Sequence, residues 1–103
     1  MFKLQPNPTF KARVPLTVPG ETDPDELVVN FRHLSRSGLK EFFSSLGDKT
    51  DAEALAEIID GWEEIDTPYS AESLAALLDN YPASGLELFD AYRRELMEAR
   101  RKN

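Results

Sequence analysis

After Ser35 the spacing of apolar residues changes from every second position to every third and fourth, and this switch constrains the fold most. Before it, TFKARVPLTV (9–18) places Phe10, Ala12 and Val14 on one side and Lys11 and Arg13 on the other, the pattern of a half-buried strand. Pro15 lacks an N–H for a sheet ladder, so this strand belongs at an edge or a bulge. PGETDPDE (19–26) is dense in turn residues. LVVNFRHL (27–34) then alternates again, Val29, Phe31 and His33 against Val28, Asn30 and Arg32. The two runs read as an antiparallel hairpin with a long loop.

Beyond the switch, Leu39, Phe42, Phe43 and Leu46 lie at i, i+3, i+4 and i+7, and Gly47-Asp48 ends that helix. Thr50 and Glu53 have the spacing of a capping box. They open a second stripe of Leu55, Ile58, Ile59 and Trp62. IDTPYS interrupts it, with Ser70 as the next N-cap, and Leu74, Leu77, Leu78 and Tyr81 repeat the spacing. Pro82 is acceptable in the first turn of a last helix, whose apolar face reads as Leu86, Phe89, Tyr92 or Arg93, and Leu96. The predicted class is α+β: an extended arm (1–8), then a single domain (9–103). In that domain a β-hairpin (9–34) is followed by about four short amphipathic helices (35–103). Such a hairpin and such short helices are marginal alone. The hairpin must rest on the helices or pair with another copy.

The chain has 103 residues and no cysteine, which excludes disulfides and thiol chemistry. MFKLQPNPTF has no apolar signal core, so no secretory signal is expected. No apolar run approaches the roughly 18 residues of a membrane span. The formal charge of −7 is uneven. Residues 1–20 carry three bases and no acid, 21–92 seventeen acids and four bases, and 93–103 five bases and two acids. An acidic body argues against a general nucleic-acid binder, which needs a basic stripe. It fits solubility or, as a rival, an acidic nucleic-acid mimic that inhibits a host enzyme.

No chemical constellation stands out. His33 is the lone histidine and has no carboxylate close in sequence to complete a metal site. Asp60, Glu63, Glu64 and Asp66 surround Trp62 without the spacing of an EF-hand loop. No nucleophile–base pair is visible, so no catalytic, metal or cofactor residue is expected. Trp62 and Tyr69 flank the acidic loop. They either close the core or anchor a partner, since aromatics are enriched at binding hot spots. Tyr81 and Tyr92 on the last two helices pose the same choice. Arg100, Arg101 and Lys102 either answer the last helix's dipole or hook an acidic partner. Phe2, Leu4 and Phe10 are candidates for self-association through the arm and hairpin.

Three stretches carry a resemblance: KLQPNPTFKARVPLTVPG (3–20), DAEALAEIIDGWEEIDTPYSAESLAALLDNYP (51–82) and LFDAYRRELMEARRKN (88–103). Within them PNPTF, the Asp60-Gly61-Trp62 run with the later Tyr69-Ser70, and Leu77-Leu78-x-x-Tyr81-Pro82 weigh most. The chain resembles the small lambda-type tail assembly chaperones of tailed bacteriophages and prophages. The resemblance implies a non-enzymatic protein of the host cytoplasm, absent from the mature virion. It implies binding to the tape measure protein, recruitment of tail tube subunits and frequent self-association. It also implies, in many phages, a longer frameshifted product. No nucleic-acid or membrane partner is implied.

Overall fold

The computed structural model of the chain describes residues 1–98. Among them are three strands, β1 (Thr9–Leu16), β2 (Asp25–Arg32) and β3 (Ile59–Glu63), and four helices. The helices are α1 (Arg36–Ser44), α2 (Asp51–Ile58), α3 (Ala71–Asn80) and α4 (Ser84–Met97), with a 3-10 turn at Leu46–Asp48. The sheet is antiparallel in the order β1-β2-β3, so the hairpin has gained a third strand. The α+β class and the hairpin are as read from the sequence. Pro15 sits on the edge strand β1, opposite Glu26.

Alternation sorts the sheet into two faces. Ala12, Val14, Leu16, Leu27, Val29, Phe31 and Ile59 are buried beneath the helices. They meet Phe42 of α1, Leu55 and Ile58 of α2, Leu74 and Leu77 of α3, and Leu88, Ala91 and Tyr92 of α4 in one core. The opposite face is charged. Lys11 pairs with Glu63 at 2.6 Å and Arg13 with Glu64 at 3.3 Å, across exposed positions. Exposed pairs of this kind add little stability. They neutralise much of the acidic cluster around Trp62.

The second helix is shorter than its apolar spacing predicts. Leu55 and Ile58 do lie on a helix, but Ile59 is already extended (φ −103°, ψ 121°), and Trp62 lies on β3. A non-local contact decides this. Phe31 pairs with Ile59 and Asn30 with Gly61, so Asp60 is the extra residue of a bulge. Asp60 accepts from Asn30 Nδ2 at 3.1 Å and Arg32 NH2 at 3.0 Å. The same guanidinium donates to the carbonyls of Ala56 and Ile59 at 3.1 and 3.0 Å. Arg32 thus satisfies acceptors that a helix leaves open at its C-terminus and ties that end to the sheet. The chain leaves β3 through Glu64, whose φ of 64° is uncommon for a side-chain-bearing residue.

Both sequence-predicted caps are present. The Thr50 hydroxyl accepts from Glu53 N at 3.2 Å, and the Glu53 carboxylate accepts from Thr50 N at 2.9 Å. That backbone hydrogen bond, with the Thr50 side chain second, holds the Glu53 carboxyl below its usual range. Ser70 accepts from Ser73 N at 3.0 Å and donates its own N–H to the Ser73 hydroxyl at 2.7 Å. Replacing Ser70 by Ala should therefore cost about 1 kcal/mol, read as a lower midpoint in urea at an unchanged slope.

The last helix keeps Phe89, Tyr92 and Leu96 of its predicted face on the core but turns away from it at Leu86. Its buried residues are Ser84, Gly85, Leu88, Ala91 and Tyr92, whereas Leu86 points outward. The small residues at its start explain the departure at Leu86. A Cβ on Gly85 would come within 3.3 Å of an Asp51 carboxylate oxygen and 3.6 Å of Leu78. Ser84 is fully buried, with its hydroxyl donating to the Tyr81 carbonyl at 2.7 Å. Glu87 in the first turn then accepts from the Thr17 amide at 3.0 Å and the Thr17 hydroxyl at 2.6 Å. These contacts moor α4 along β1.

Candidate partner-binding groove

Rotating α4 inward through Leu88 and Tyr92 turns Leu86 towards solvent. A similar divergence occurs on α1, where adjacent Phe42 and Phe43 point about 100° apart. Phe42 enters the core at 5% exposure, while Phe43 stays 39% exposed and Leu86 79% exposed. Phe43, Leu86 and half-buried Phe89 line a groove of about 410 Å³ between the two helices. Its apolar wall is braced from beneath by Phe42, whose ring centroid lies 5.5 Å from that of Phe43 and 6.4 Å from that of Phe89.

The rim is polar and ordered. Glu87, Asp90 and Arg93 line it. Asp90 bridges Arg93 at 3.6 Å and Arg94 at 3.2 Å, Arg93 also reaches Glu98 at 3.0 Å, and Glu87 is held by Thr17. An apolar strip with charged borders is the kind of surface on which an amphipathic helix can lay its apolar face. Scattered exposed apolar residues are ordinary, and here two of them sit side by side with half-buried Phe89.

The residues singled out in the sequence fall in different places. Trp62 and Tyr69 come together at the β3 edge, edge to face with centroids 5.0 Å apart, both half-buried. Trp62 Nε1 donates to the Thr67 carbonyl at 2.8 Å, so the pair closes the 64–69 turn against the sheet. Burial raises the Tyr69 phenol above its ordinary value; Arg32 opposes that shift and Asp60 adds to it. Tyr81 is half-buried and borders a separate depression of about 180 Å³ with Leu16, Val18, Ile65 and Leu77.

One of the candidates needs correcting. Tyr92 offers nothing to a partner, because it is fully buried and its hydroxyl donates to the Arg32 carbonyl at 2.7 Å. Its environment pushes the phenol up to about 12, the cost of placing a phenolate in the core. Phe10 is half-buried. Its ring stacks on Tyr92 at 6.1 Å and lies 5.7 Å from Phe31. Phe2 and Leu4 are exposed in the arm. Arg100, Arg101 and Lys102 lie outside the described residues.

The exposed members of the groove escaped the sequence reading, which counted Phe43 and Leu86 as core. A signal was present: Leu86 and Leu88 are about 200° apart on a helix, so only one can face inward.

The family model for phage tail assembly chaperones matches residues 1–103, the whole chain. The chain belongs to this family. The chaperone's role is therefore in tail assembly, a non-enzymatic one exercised on tail proteins. No curated protein and no solved structure matches it. No helix among the described residues is long and apolar enough to cross a membrane. The described residues also hold no group of three or more His, Cys, Asp or Glu placed to bind a metal.

Proposed function

We propose that this chaperone binds the tape measure protein through the Phe43–Leu86–Phe89 groove and helps bring tail tube subunits to it. It would act in the host cytoplasm and be left out of the mature virion. The observation that carries this reading is the exposed apolar groove between α1 and α4, within a chain of the tail assembly chaperone family. A long helical client exposes apolar faces until the tube encloses it. A groove that accepts one face at i, i+3, i+4 and i+7 would shield it, and several chaperones along one client would add avidity. The acidic chain, at −7, would keep that complex soluble.

The nucleic-acid mimic requires rows of free carboxylates. Here Glu63, Glu64, Asp60 and Glu57 each face a lysine or arginine instead. Co-expression with the cognate tape measure protein tests the client assignment. The soluble fraction of that protein should rise several-fold with the chaperone present. An unchanged soluble fraction would make the assignment wrong.

A further inference from the structure

The end of the sheet nearest the β1–β2 turn carries a carboxylate on its apolar face. Alternation puts Asp25 on the same side as Leu27, Val29 and Phe31, opposite Leu16 in β1. Those four neighbours are buried, whereas Asp25 is exposed. Asp25 lines the depression of about 180 Å³ that Tyr81 borders. Buried Leu16, Leu27 and Leu77, with half-buried Val18, Ile65 and Tyr81, give that depression an apolar lining. Among the described residues the Asp25 carboxylate has no hydrogen-bond or ion-pair partner.

The surroundings are negative and lack a balancing cation. Every lining residue comes from 14–31 or 61–92, and neither stretch contains a lysine or arginine. Glu26 and Glu64 also line the depression, and they share the single guanidinium of Arg13, at 3.8 and 3.3 Å. The adjoining turn meets the depression at Val18 and adds Glu21 and Asp23, again without a side-chain partner among the described residues. Carboxylates around a low-dielectric hollow focus a field that draws cations in.

We infer that this depression is a second docking surface, which takes an aliphatic side chain flanked by lysine or arginine in a basic segment of a partner protein. The aliphatic anchor fills the hollow between Leu16, Leu77 and Tyr81, and the flanking cations meet Asp25 and the acidic turn. An ion pair at an exposed carboxylate is worth little by itself. Apolar burial therefore supplies the affinity, while the carboxylates select the segment and speed its arrival. The α1–α4 groove differs in having Arg93 on its rim, so the two surfaces choose different segments. This second surface stands independently of the client assigned to the groove.

The probe is a synthetic peptide with one leucine between two arginines in a glycine–serine background. Titrated into the labelled chaperone, it should shift the amide signals of Leu16, Val18, Asp25, Ile65 and Tyr81, with a dissociation constant of about 1 mM or tighter. Replacing its leucine by serine, or its arginines by glutamates, should each weaken binding at least roughly fivefold. Asp25→Lys should weaken it as much, and because Asp25 is exposed the fold tolerates the change. Leu86→Gln should leave it unaltered. Equal binding of the serine peptide would reduce the interaction to charge alone and overturn the inference. So would shifts scattered over the acidic surface or centred on Phe43 and Leu86, indifference to Asp25→Lys, or no binding at millimolar peptide.

Discussion

Replacing Tyr92 by Ala should remove a large share of the chain's stability. The side chain is fully buried and its ring meets Phe10, Phe31 and Phe42 at centroid distances of 6.1, 5.1 and 6.4 Å. Truncating a buried aromatic costs about 3–5 kcal/mol. A domain of this size has roughly 5–15 kcal/mol in total. Urea unfolding followed by circular dichroism should show the midpoint collapse, and a shift of only a few tenths molar would contradict the assignment of Tyr92 to the core. Tyr92→Phe keeps the ring and loses the hydrogen bond to the Arg32 carbonyl, at about 1 kcal/mol.

The same residue predicts an alkaline limit. Burial raises the folded phenol to about 12, above the ordinary value near 10. The stabilisation from keeping Tyr92 neutral is thus complete below about pH 10 and is lost as pH rises towards 12. Stability of the wild type should fall more steeply across that window than stability of Tyr92→Phe. Lysine deprotonation is common to both proteins and cancels in the comparison.

The largest functional effect is expected at Leu86. At 79% exposure it contributes little to the core, so Leu86→Gln should change stability by no more than about 0.5 kcal/mol. Removing a central apolar anchor from a binding groove should weaken client affinity by about tenfold, or roughly 1.4 kcal/mol. Affinity measured by titration calorimetry against a soluble tape measure segment, with urea unfolding in parallel, separates the two. Equal losses of binding and stability would instead make Leu86 part of the fold.

Features set by neighbours in sequence were legible. The alternation of β1 and β2 identified their buried faces, and the Thr50–Glu53 box and the Ser70 N-cap marked two helix starts. Features set by distant contacts were not. Leu55, Ile58, Ile59 and Trp62 satisfy helical spacing, yet the β2 edge and Arg32 take Ile59 and Trp62 into a strand. The face of α4 depends on the close approach of Gly85 to Asp51 and Leu78, which no periodicity reveals. The groove was hidden for the same reason. Phe43 and Leu86 look like core residues until Phe42 and Leu88 have filled the inward positions.

The α1–α4 groove is proposed to hold an apolar helical face of the tape measure protein. Amide chemical-shift mapping of the labelled chaperone, titrated with a soluble helical segment of that protein, tests it most directly. Perturbations should centre on Phe43, Leu86, Phe89 and Arg93, with little change at Lys11, Asn30 and Glu63 on the charged face of the sheet. Perturbations centred on that charged face, with Leu86 silent, would contradict it.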